Sequence, residues 1–224
     1  MSGGIVHSNH GVTLLGGGAS RPADVADALT IAPTLVAADG GGDRARELGL
    51  TPEAVIGDLD SLSEAARAEF GPRVHHIPEQ DSTDFGKCLI HVTAPFYLAL
   101  GFTGLRLDHT LATLSYVAQR ATQRVILIGE EDLIFRAPPE MTVNLPPGER
   151  FSIFPFGTVT GRSEGLRWPI DGLSLAPDGR VSTSNEISGP LRLSLTGSAL
   201  VLLPKPHLHA VLDALSLRSH VPGE

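Results

Sequence analysis

The sequence is poor in cysteine, in lysine and in long apolar runs, and each shortage excludes a class of function. Cys88 is the single cysteine among 224 residues, so an internal disulfide and a cysteine-ligated zinc site are excluded. Lys87 and Lys205 are the only lysines, and no Gly-x-x-x-x-Gly-Lys-Ser/Thr motif is present, which excludes a P-loop. No run of about 18 apolar residues occurs, so we expect no membrane-spanning helix.

Composition and charge narrow the function classes further. The net charge is −8, which argues against a general nucleic-acid binder or a protein that binds anionic membranes. A hydrophobic content of 42% is enough for a folded core. No signal-peptide pattern opens the sequence, and we expect a cytoplasmic protein. If the protein binds nucleoside triphosphates, we expect the phosphate charge to be neutralised by a metal held by aspartates, together with arginine or backbone N–H groups.

The stretch Val55–Ser61, Val-Ile-Gly-Asp-Leu-Asp-Ser, carries the strongest local signal. Asp58 and Asp60 follow an apolar run and point the same way if the extended backbone persists. No lysine stands nearby in the sequence to neutralise them, so we expect the two carboxylates to repel each other. A hard divalent cation such as Mg²⁺ would relieve that repulsion. The alternative is a solvated acidic turn that ends in a helix cap at Ser61.

Strand patterns alternate with helix patterns over about the first 130 residues, which predicts an α/β domain with a mainly parallel, Rossmann-like sheet. Ligands of such sheets bind beyond the carboxyl ends of the strands. Acidic residues follow nearly every strand, and we expect them to meet at one edge. They are Asp39, Asp58, Asp60, Asp81, Asp84 and Asp108. The glycine run 16–18 is a weaker signal of an anion cradle, because such turns often carry glycine for geometry alone.

The pattern changes after Ala137, where short strand candidates alternate with proline- and glycine-containing turns. These strands predict a small all-β domain, a sandwich. We therefore expect two domains, an α/β catalytic, nucleotide- and metal-binding domain over residues 1–137 and a β-sandwich over residues 138–224.

Four acidic motifs occur in an order that is similar to thiamine pyrophosphokinases (thiamine diphosphokinases). They are Ala38-Asp39-Gly40-Gly41, Ile56-Gly57-Asp58-Leu59-Asp60-Ser61, Gln80-Asp81-Ser82-Thr83-Asp84 and Arg106-Leu107-Asp108-His109-Thr110-Leu111. The Trp168 region and Ser182-Thr183-Ser184-Asn185 match later parts of the family pattern. The resemblance covers nearly the whole chain.

This resemblance implies an ATP:thiamine pyrophosphotransferase that gives thiamine diphosphate and AMP. It also implies that the β-sandwich helps to bind thiamine, and that the protein is a homodimer with the thiamine site near the subunit interface. Mg²⁺ is the expected metal, and ATP is the co-substrate. Neither nucleic acid nor a membrane is an expected partner.

We assign candidate roles by joining the residue chemistry to this resemblance. Asp58 and Asp60 are predicted Mg²⁺ ligands, with Asp84 or Asp81 completing the site. Arg106 could reach a phosphate oxygen, and Asp108 could orient the thiamine hydroxyl or accept its proton. The predicted catalytic residues are Asp58, Asp60, Asp84, Arg106 and Asp108; the predicted nucleotide-binding residues are Asp39, Gly40, Gln80, Asp81, Ser82, Thr83 and His109; the predicted thiamine-binding residues are Trp168, Ser184 and Asn185.

Structural explanations stand beside several of these roles. Arg106 and Asp108 could simply pair at a helix start, and His109 could be a packing or capping residue. Trp168, the only tryptophan, could belong to a core, although its Gly/Pro-rich surroundings favour a stacking platform for a cationic ring. Ser184 and Asn185 could hydrogen-bond the aminopyrimidine or merely shape a turn.

The chain also departs from the family pattern. Leu105 follows Gly104 where a second glycine is usual, Thr113 stands where asparagine is usual, and Asp43 stands where asparagine is frequent. Three alternatives to the main function therefore stay open: a pyrophosphokinase for another hydroxyalkyl heterocycle such as a pterin, a non-catalytic sensor of thiamine or nucleotide, and an α/β interaction module with solvated acidic loops.

Overall fold

The computed structural model describes residues 4–221 and divides into two compact units. The first unit comprises residues 4–116, Leu127–Glu130 and 220–221, and the second comprises Val117–Ile126 and Glu131–Ser219. The boundary at residue 137, which rests on composition, stays a prediction.

The first unit alternates short strands and helices. Its elements are β1 (Val6–His7), β2 (Val12–Leu15), α1 (Pro22–Ile31), β3 (Thr34–Ala38), α2 (Gly41–Glu47), β4 (Ala54–Gly57), α3 (Glu64–Phe70), β5 (Val74–His76), α4 (Asp84–His91), β6 (Val92–Thr93) and β7 (Tyr97–Leu100). Two further elements, α5 (Leu107–Gln119) and β8 (Val125–Ile128), contain residues of both units. The predicted α/β character of this part of the chain is confirmed.

Parallel pairing sets where the loops of this unit lie. The strand β4 pairs in parallel with β3 and with β5, and β2 pairs in parallel with β7. The strands β2, β4 and β7 have four residues each, and all of these residues are buried, as expected for strands covered on both faces. Because Ala38 is in register with Ile56, the residues that follow β3 and β4 leave the sheet side by side.

Helix caps fix the starts of two helices that border these loops. Ser63 precedes α3, and its hydroxyl accepts a hydrogen bond from the Ala66 N–H. Thr83 precedes α4 in the same way and accepts from the Gly86 N–H. Each cap satisfies one of the N–H groups that a helix start leaves without a partner, so the register of α4 is set at Thr83.

The second unit is rich in antiparallel strands. Its elements are β9 (Asp132–Arg136), β10 (Glu140–Val143), β11 (Arg150–Pro155), β12 (Val159–Leu166), β13 (Ser174–Leu175), β14 (Ser182–Thr196), β15 (Ala199–Pro204) and α6 (Leu208–Ala214). The long strand β14 pairs antiparallel with β10, β11 and β12. The β-rich character of the C-terminal part is confirmed, whereas its arrangement as a sandwich stays a prediction.

The strand β14 is longer than the sequence pattern predicts. Only Leu191–Leu195 has a clear strand pattern, yet the strand begins at Ser182. The segment before Leu191 contains small polar residues, Gly189 and Pro190, which are typical of turns. Pairing of Asn185 with Phe151 and of Ile187 with Leu166 overrides that local preference.

Among residues 4–221, none of the helices combines the length and the apolar character needed to cross a bilayer.

Close packing of β12 against β14 yields a stability prediction. A Cβ atom at Gly161 would lie 2.1 Å from the Ser194 carbonyl oxygen, whereas one at Gly189 would meet nothing within 4 Å. We expect Gly161→Ala to lower the free energy of unfolding by about 2 kcal/mol, because the neighbouring backbone must move. The matched Gly189→Ala variant should change it by less than about 0.5 kcal/mol. Urea unfolding followed by circular dichroism measures both, and equal effects would contradict the packing argument.

Candidate active site

The carboxyl ends of β3 and β4 bring three aspartates together. Asp39 follows β3, and Asp58 and Asp60 follow β4; each offers a carboxylate oxygen, and these oxygens all lie within 4.8 Å of one another. The Asp39 N–H donates to the Ile56 carbonyl at 3.0 Å, which ties the two strand ends. The prediction that acidic residues after successive strands meet is thus confirmed for these three.

Backbone geometry makes the close approach possible. A Cβ atom at Gly57 would lie 2.8 Å from Asp39 Cβ, so no larger residue fits there. Asp39 has φ +45° and Leu59 has φ +65°, in the left-handed region that ordinary residues rarely adopt. Strained residues of this kind cluster at binding sites. Here they are the residue that carries one carboxylate and the residue between the other two.

Asp39 is the buried member of the group, and one of its oxygens has no hydrogen-bond partner. Its side chain is only 4% exposed. Oδ2 accepts from the Ser61 N–H at 3.2 Å, but Oδ1 is buried without a hydrogen bond. Burial, and then the charges of Asp84 and Asp60, raise the pKa of Asp39 to about 6. A divalent cation would satisfy Oδ1 and remove the repulsion, so these three aspartates fit a hard metal ion.

Lys87 contradicts the expectation that no lysine neutralises the aspartates. It lies on α4 and is only 1% exposed, with Nζ 3.3 Å from Asp58 Oδ2 and 3.1 Å from Asp84 Oδ1. Burial opposes its charge, but the two carboxylates outweigh that effect and raise the pKa of the ammonium. No local pattern indicates this contact, because Lys87 is distant from Asp58 along the chain.

Asp58 is held in its ionised form by several donors. Burial works against ionisation, but hydrogen bonds from the Gln80 amide at 3.0 Å and from the Asp60 N–H, together with Lys87, lower the pKa of Asp58. Gln80, predicted as a nucleotide-binding residue, therefore donates a hydrogen bond to a carboxylate of the candidate metal site. Asp84 pairs with Lys87 and is not one of the three clustered aspartates.

The loop before α4 has its donors occupied by Glu79, a residue that the sequence reasoning missed. Glu79 Oε2 accepts from the N–H groups of Asp81 at 2.7 Å and Ser82 at 3.0 Å, and Oε1 accepts from the Ser82 hydroxyl. The Ser82 hydrogen bonds and the Asp81 N–H outweigh desolvation and lower the pKa of Glu79. Thr83 caps α4. The donors of Asp81 and Ser82, two of the predicted nucleotide-binding residues, therefore hydrogen-bond within the loop.

Arg106 and Asp108 pair with each other at the start of α5. Arg106 Nε lies 3.2 Å from Asp108 Oδ1, and Nη2 lies 2.6 Å from Oδ2. Both side chains are about two-thirds exposed, at 66% and 65%. The hydrogen bonds from Arg106 lower the pKa of Asp108. His109 is exposed beside them, and Leu105 precedes the pair at φ +46° with 85% exposure.

The glycines near these loops serve close backbone packing. A Cβ atom at Gly16 would lie 2.5 Å from the Gly101 carbonyl oxygen, and one at Gly17 would lie 3.2 Å from the Gly40 carbonyl carbon. This contact accounts for the glycine run without a ligand. The contact between Gly17 and Gly40 also places Gly40, a predicted nucleotide-binding residue, where the loop after β2 meets the loop that follows β3 and contains Asp39.

In the second unit, Asn185 clamps the backbone of Trp168. Asn185 is buried, its Nδ2 donates to the Trp168 carbonyl at 2.7 Å, and its Oδ1 accepts from the Trp168 N–H at 3.2 Å. The indole is 54% exposed, and the Arg167 guanidinium lies 4.9 Å from its centroid. Ser184 has φ +59°, is exposed, and donates its N–H to Ser152 Oγ at 3.0 Å.

A pocket of about 270 Å³ lies beside this clamp. Its lining residues are Trp168, Pro169, Ile170, Leu173, Leu175, Arg180, Val181, Ser182, Thr183 and Asn185. The mixture of an exposed indole, aliphatic side chains and a few hydroxyls suits a small ring-containing ligand. Trp168 and Asn185 are thus brought together at one pocket, whereas Ser184 is not among the residues that line it.

Comparison with known proteins matches both units. A family model described as "Thiamin pyrophosphokinase, catalytic domain" matches residues 25–128, and one described as "Thiamin pyrophosphokinase, vitamin B1 binding domain" matches residues 140–196. Thiamine pyrophosphokinase 3 of Oryza sativa subsp. japonica is 29% identical over 154 residues, and thiamine pyrophosphokinase 1 of Arabidopsis thaliana is 25% identical over 154 residues. Each match covers 60% of this chain and 58% of the relative's length.

Solved structures show the same fold. Thiamin pyrophosphokinase from Candida albicans superposes with a TM-score of 0.76 at 17% identity, over 91% of this chain and 94% of that one. Thiamin pyrophosphokinase from Geobacillus thermodenitrificans gives a TM-score of 0.71 at 22% identity, over 87% of this chain and 96% of that one. At these identities the likeness establishes the fold.

The raised pKa of Asp39 gives a prediction for stability against pH. Ionising a carboxyl whose folded pKa lies above its unfolded value costs stability as pH rises from about 4 to about 6. We therefore expect Asp39→Asn, in EDTA, to be more stable than the wild type at pH 8, by about 1–3 kcal/mol. At pH 4 the advantage should vanish. Urea unfolding at both pH values measures this, and an Asp39→Asn variant that is less stable at pH 8 would contradict it.

Proposed function

Because the chain belongs to the thiamin pyrophosphokinase family, we propose that it transfers the terminal pyrophosphate of ATP to the hydroxyl of thiamine, giving thiamine diphosphate and AMP. The observation that carries this proposal is the group of Asp39, Asp58 and Asp60, with its buried carboxylate oxygen that lacks a partner. An acidic site of this kind suits a metal–nucleotide complex in a chain that has no P-loop.

In this proposal Asp39, Asp58 and Asp60 hold Mg²⁺. A bound Mg²⁺ supplies neutralisation and orientation of polyphosphate oxygens. Asp39 enters the ligand set expected from the sequence because its buried Oδ1 lacks a hydrogen bond, whereas Asp84 lies outside the group of three carboxylates. Gln80 fixes the orientation of the Asp58 carboxylate through its hydrogen bond to Oδ2.

Arg106 and Asp108 are proposed to act on the reacting groups. The thiamine hydroxyl oxygen bonds to the β-phosphorus of ATP, and the bond from that phosphorus to the α–β bridging oxygen breaks, so AMP leaves with this oxygen. The O–H bond of thiamine breaks in the same reaction, and its proton passes to solvent. Arg106 carries further N–H donors beyond those it gives to Asp108, and these can bind a phosphate oxygen. Because the pKa of Asp108 is lowered, Asp108 is a weak base. We assign it the orientation of the hydroxyl.

The loop 79–83 is proposed to exchange its internal hydrogen bonds for phosphate contacts. Ser82 gives its N–H and its hydroxyl to Glu79 in this structure. Phosphate oxygens are charged acceptors that also suit such donors at a helix start. Asp39, Gly40, Asp81, Thr83 and His109 keep their proposed place near the nucleotide.

The pocket beside Trp168 is proposed to bind thiamine. The exposed indole offers a face to the positively charged thiazolium ring. Asn185 supports Trp168 through its backbone clamp, so its contribution to thiamine binding is through the position of the indole. Ser184 remains proposed as a polar contact to the aminopyrimidine.

The alternatives are less favoured. The comparisons do not favour a pterin-like substrate, since the second family model is described as a vitamin B1 binding domain, or a non-catalytic sensor, since the first is described as a catalytic domain. A homodimer with the thiamine site near the interface, and a cytoplasmic location, remain proposals.

The first test measures AMP and thiamine diphosphate formation from ATP, Mg²⁺ and thiamine. We expect both products from the wild type, none with EDTA, and at least about a hundredfold loss of kcat in Asp58→Asn, because that change removes a charged ligand. Asp27→Asn, an exposed aspartate on α1, is the matched control and should keep wild-type activity. Full activity of Asp58→Asn would contradict the proposed site, and no product from the folded wild type would contradict the function.

The second test separates thiamine binding from chemistry. We expect Trp168→Ala to raise the KM for thiamine about tenfold, since the cation–π contact is lost, with the KM for ATP unchanged. Trp168→Phe, which keeps an aromatic face, should have a KM for thiamine between those of the wild type and Trp168→Ala. An unchanged thiamine KM in Trp168→Ala would exclude the indole from the thiamine site.

A further inference from the structure

The second unit contains a pocket that the proposed reaction does not use. It has a volume of about 440 Å³ and lies where the start of β8, the end of β9 and the end of β14 come together. None of the residues proposed to bind metal, nucleotide or thiamine lines this pocket. A pocket of this size is large enough to bury most of a small ring-containing molecule.

Part of the pocket wall is apolar. Val125, Phe135 and Leu195 line it, and these residues are between 1% and 6% exposed. Ala137 and Leu215 add further buried apolar residues to the lining. Because contact with such a wall removes apolar surface from water, the wall favours a ligand that has a ring or an aliphatic body.

The charged part of the wall is basic. Arg124, just before β8, and Arg136, at the end of β9, both line the pocket, and no acidic residue is among the lining residues. Neither arginine forms an ion pair with a carboxylate of residues 4–221. In a chain with a net charge of −8, two arginines at one pocket without a carboxylate partner create a local positive potential, which attracts an anion.

Hydrogen bonds hold Arg136 in place. Its Nη1 donates to the Ala118 carbonyl and, at 3.0 Å, to Ser198 Oγ, and the Ser198 hydroxyl donates to the same carbonyl at 2.8 Å. The Nε and Nη2 groups of Arg136 form no hydrogen bond with the described residues and keep contact with solvent. A guanidinium that is fixed through one nitrogen, with two further nitrogens available, is preorganised to bind an oxyanion.

We propose that this pocket binds a small phosphate monoester whose organic part contains a ring. The two arginines bind the phosphate oxygens, and Phe135 and Leu195 contact the ring. A phosphate monoester carries a charge of about −1.5 to −2 at pH 7, which matches two arginines, whereas a carboxylate matches only one of them. Thr196 also lines the pocket, and its hydroxyl forms no hydrogen bond with the described residues, so it supplies a further donor. This site lies within the second unit and does not depend on the proposed function.

The test is a titration of the isotope-labelled wild-type protein with phenyl phosphate, followed by the chemical shifts of the backbone amides. The amides of Arg124, Val125 and Gly197 should shift with a Kd of about 1 mM or tighter. Inorganic phosphate, which lacks the ring, and benzyl alcohol, which lacks the charge, should each bind at least about tenfold more weakly. Shifts confined to the loops that follow β3 and β4 and precede α4 would place the probe at the candidate active site alone and overturn the inference.

Three variants connect the binding to this pocket. Arg124→Gln should weaken the binding of phenyl phosphate at least about fivefold, because it removes one of the two cations. The matched control is Arg162→Gln, an exposed arginine on β12 that lines neither pocket and forms no ion pair within the described residues; it should bind like the wild type. Ala121→Phe leaves every charge in place and should also weaken binding at least about fivefold, because Ala121 lines the pocket and the larger side chain takes up part of its volume.

Equal weakening in Arg124→Gln and Arg162→Gln would reduce the effect to net charge and overturn the inference. Benzoate that binds at these amides as tightly as phenyl phosphate would make the pocket a carboxylate site and would overturn the assignment to a phosphate monoester. An unchanged affinity in Ala121→Phe would exclude this pocket as the place of binding. Because all three substituted residues are exposed, we expect the variants to fold, so each result bears on the site itself.

Discussion

The candidate site depends on the placement of negative charge around the bare backbone of Gly57. The parallel register of β3 and β4 puts Asp39 next to Asp58, and burial leaves one Asp39 oxygen without a hydrogen bond. Such a group is costly unless a cation neutralises it. Lys87 neutralises the side that faces Asp84, and in the proposed function a metal ion neutralises the side that contains Asp39 and Asp60. Fold stability and ligand binding are therefore linked at this point.

The fold supports this arrangement at the expense of local strain. Asp39 and Leu59 both adopt positive φ. Glycine is required at position 57 because Asp39 fills the space that a side chain at this position would need. The caps at Ser63 and Thr83 fix the helices that border the loops. The carboxylates are consequently preorganised before any ligand arrives, which reduces the reorganisation that binding requires.

Sequence reasoning found the parts of the site that follow strand ends, because parallel strands leave their carboxyl ends at one edge. It missed Lys87 and Glu79, whose partners are chosen by tertiary packing that no local pattern reveals. It also treated Asn185 as a ligand contact or turn residue, whereas burial makes it a clamp on Trp168. The start of β14 was missed for a similar reason, since small polar residues and Pro190 resemble a turn until pairing with β11 and β12 is known.

The central claim is that Asp39, Asp58 and Asp60 hold the catalytic cation. The most direct measurement is the anomalous diffraction of crystals of the wild-type protein grown with Mn²⁺ and a non-hydrolysable ATP analogue. We expect a peak at the Mn²⁺ position within coordinating distance of all three carboxylates, with Asp39 Oδ1 as a ligand and Lys87 still between Asp58 and Asp84. A Mn²⁺ peak away from Asp39, or one that displaces Lys87, would contradict it.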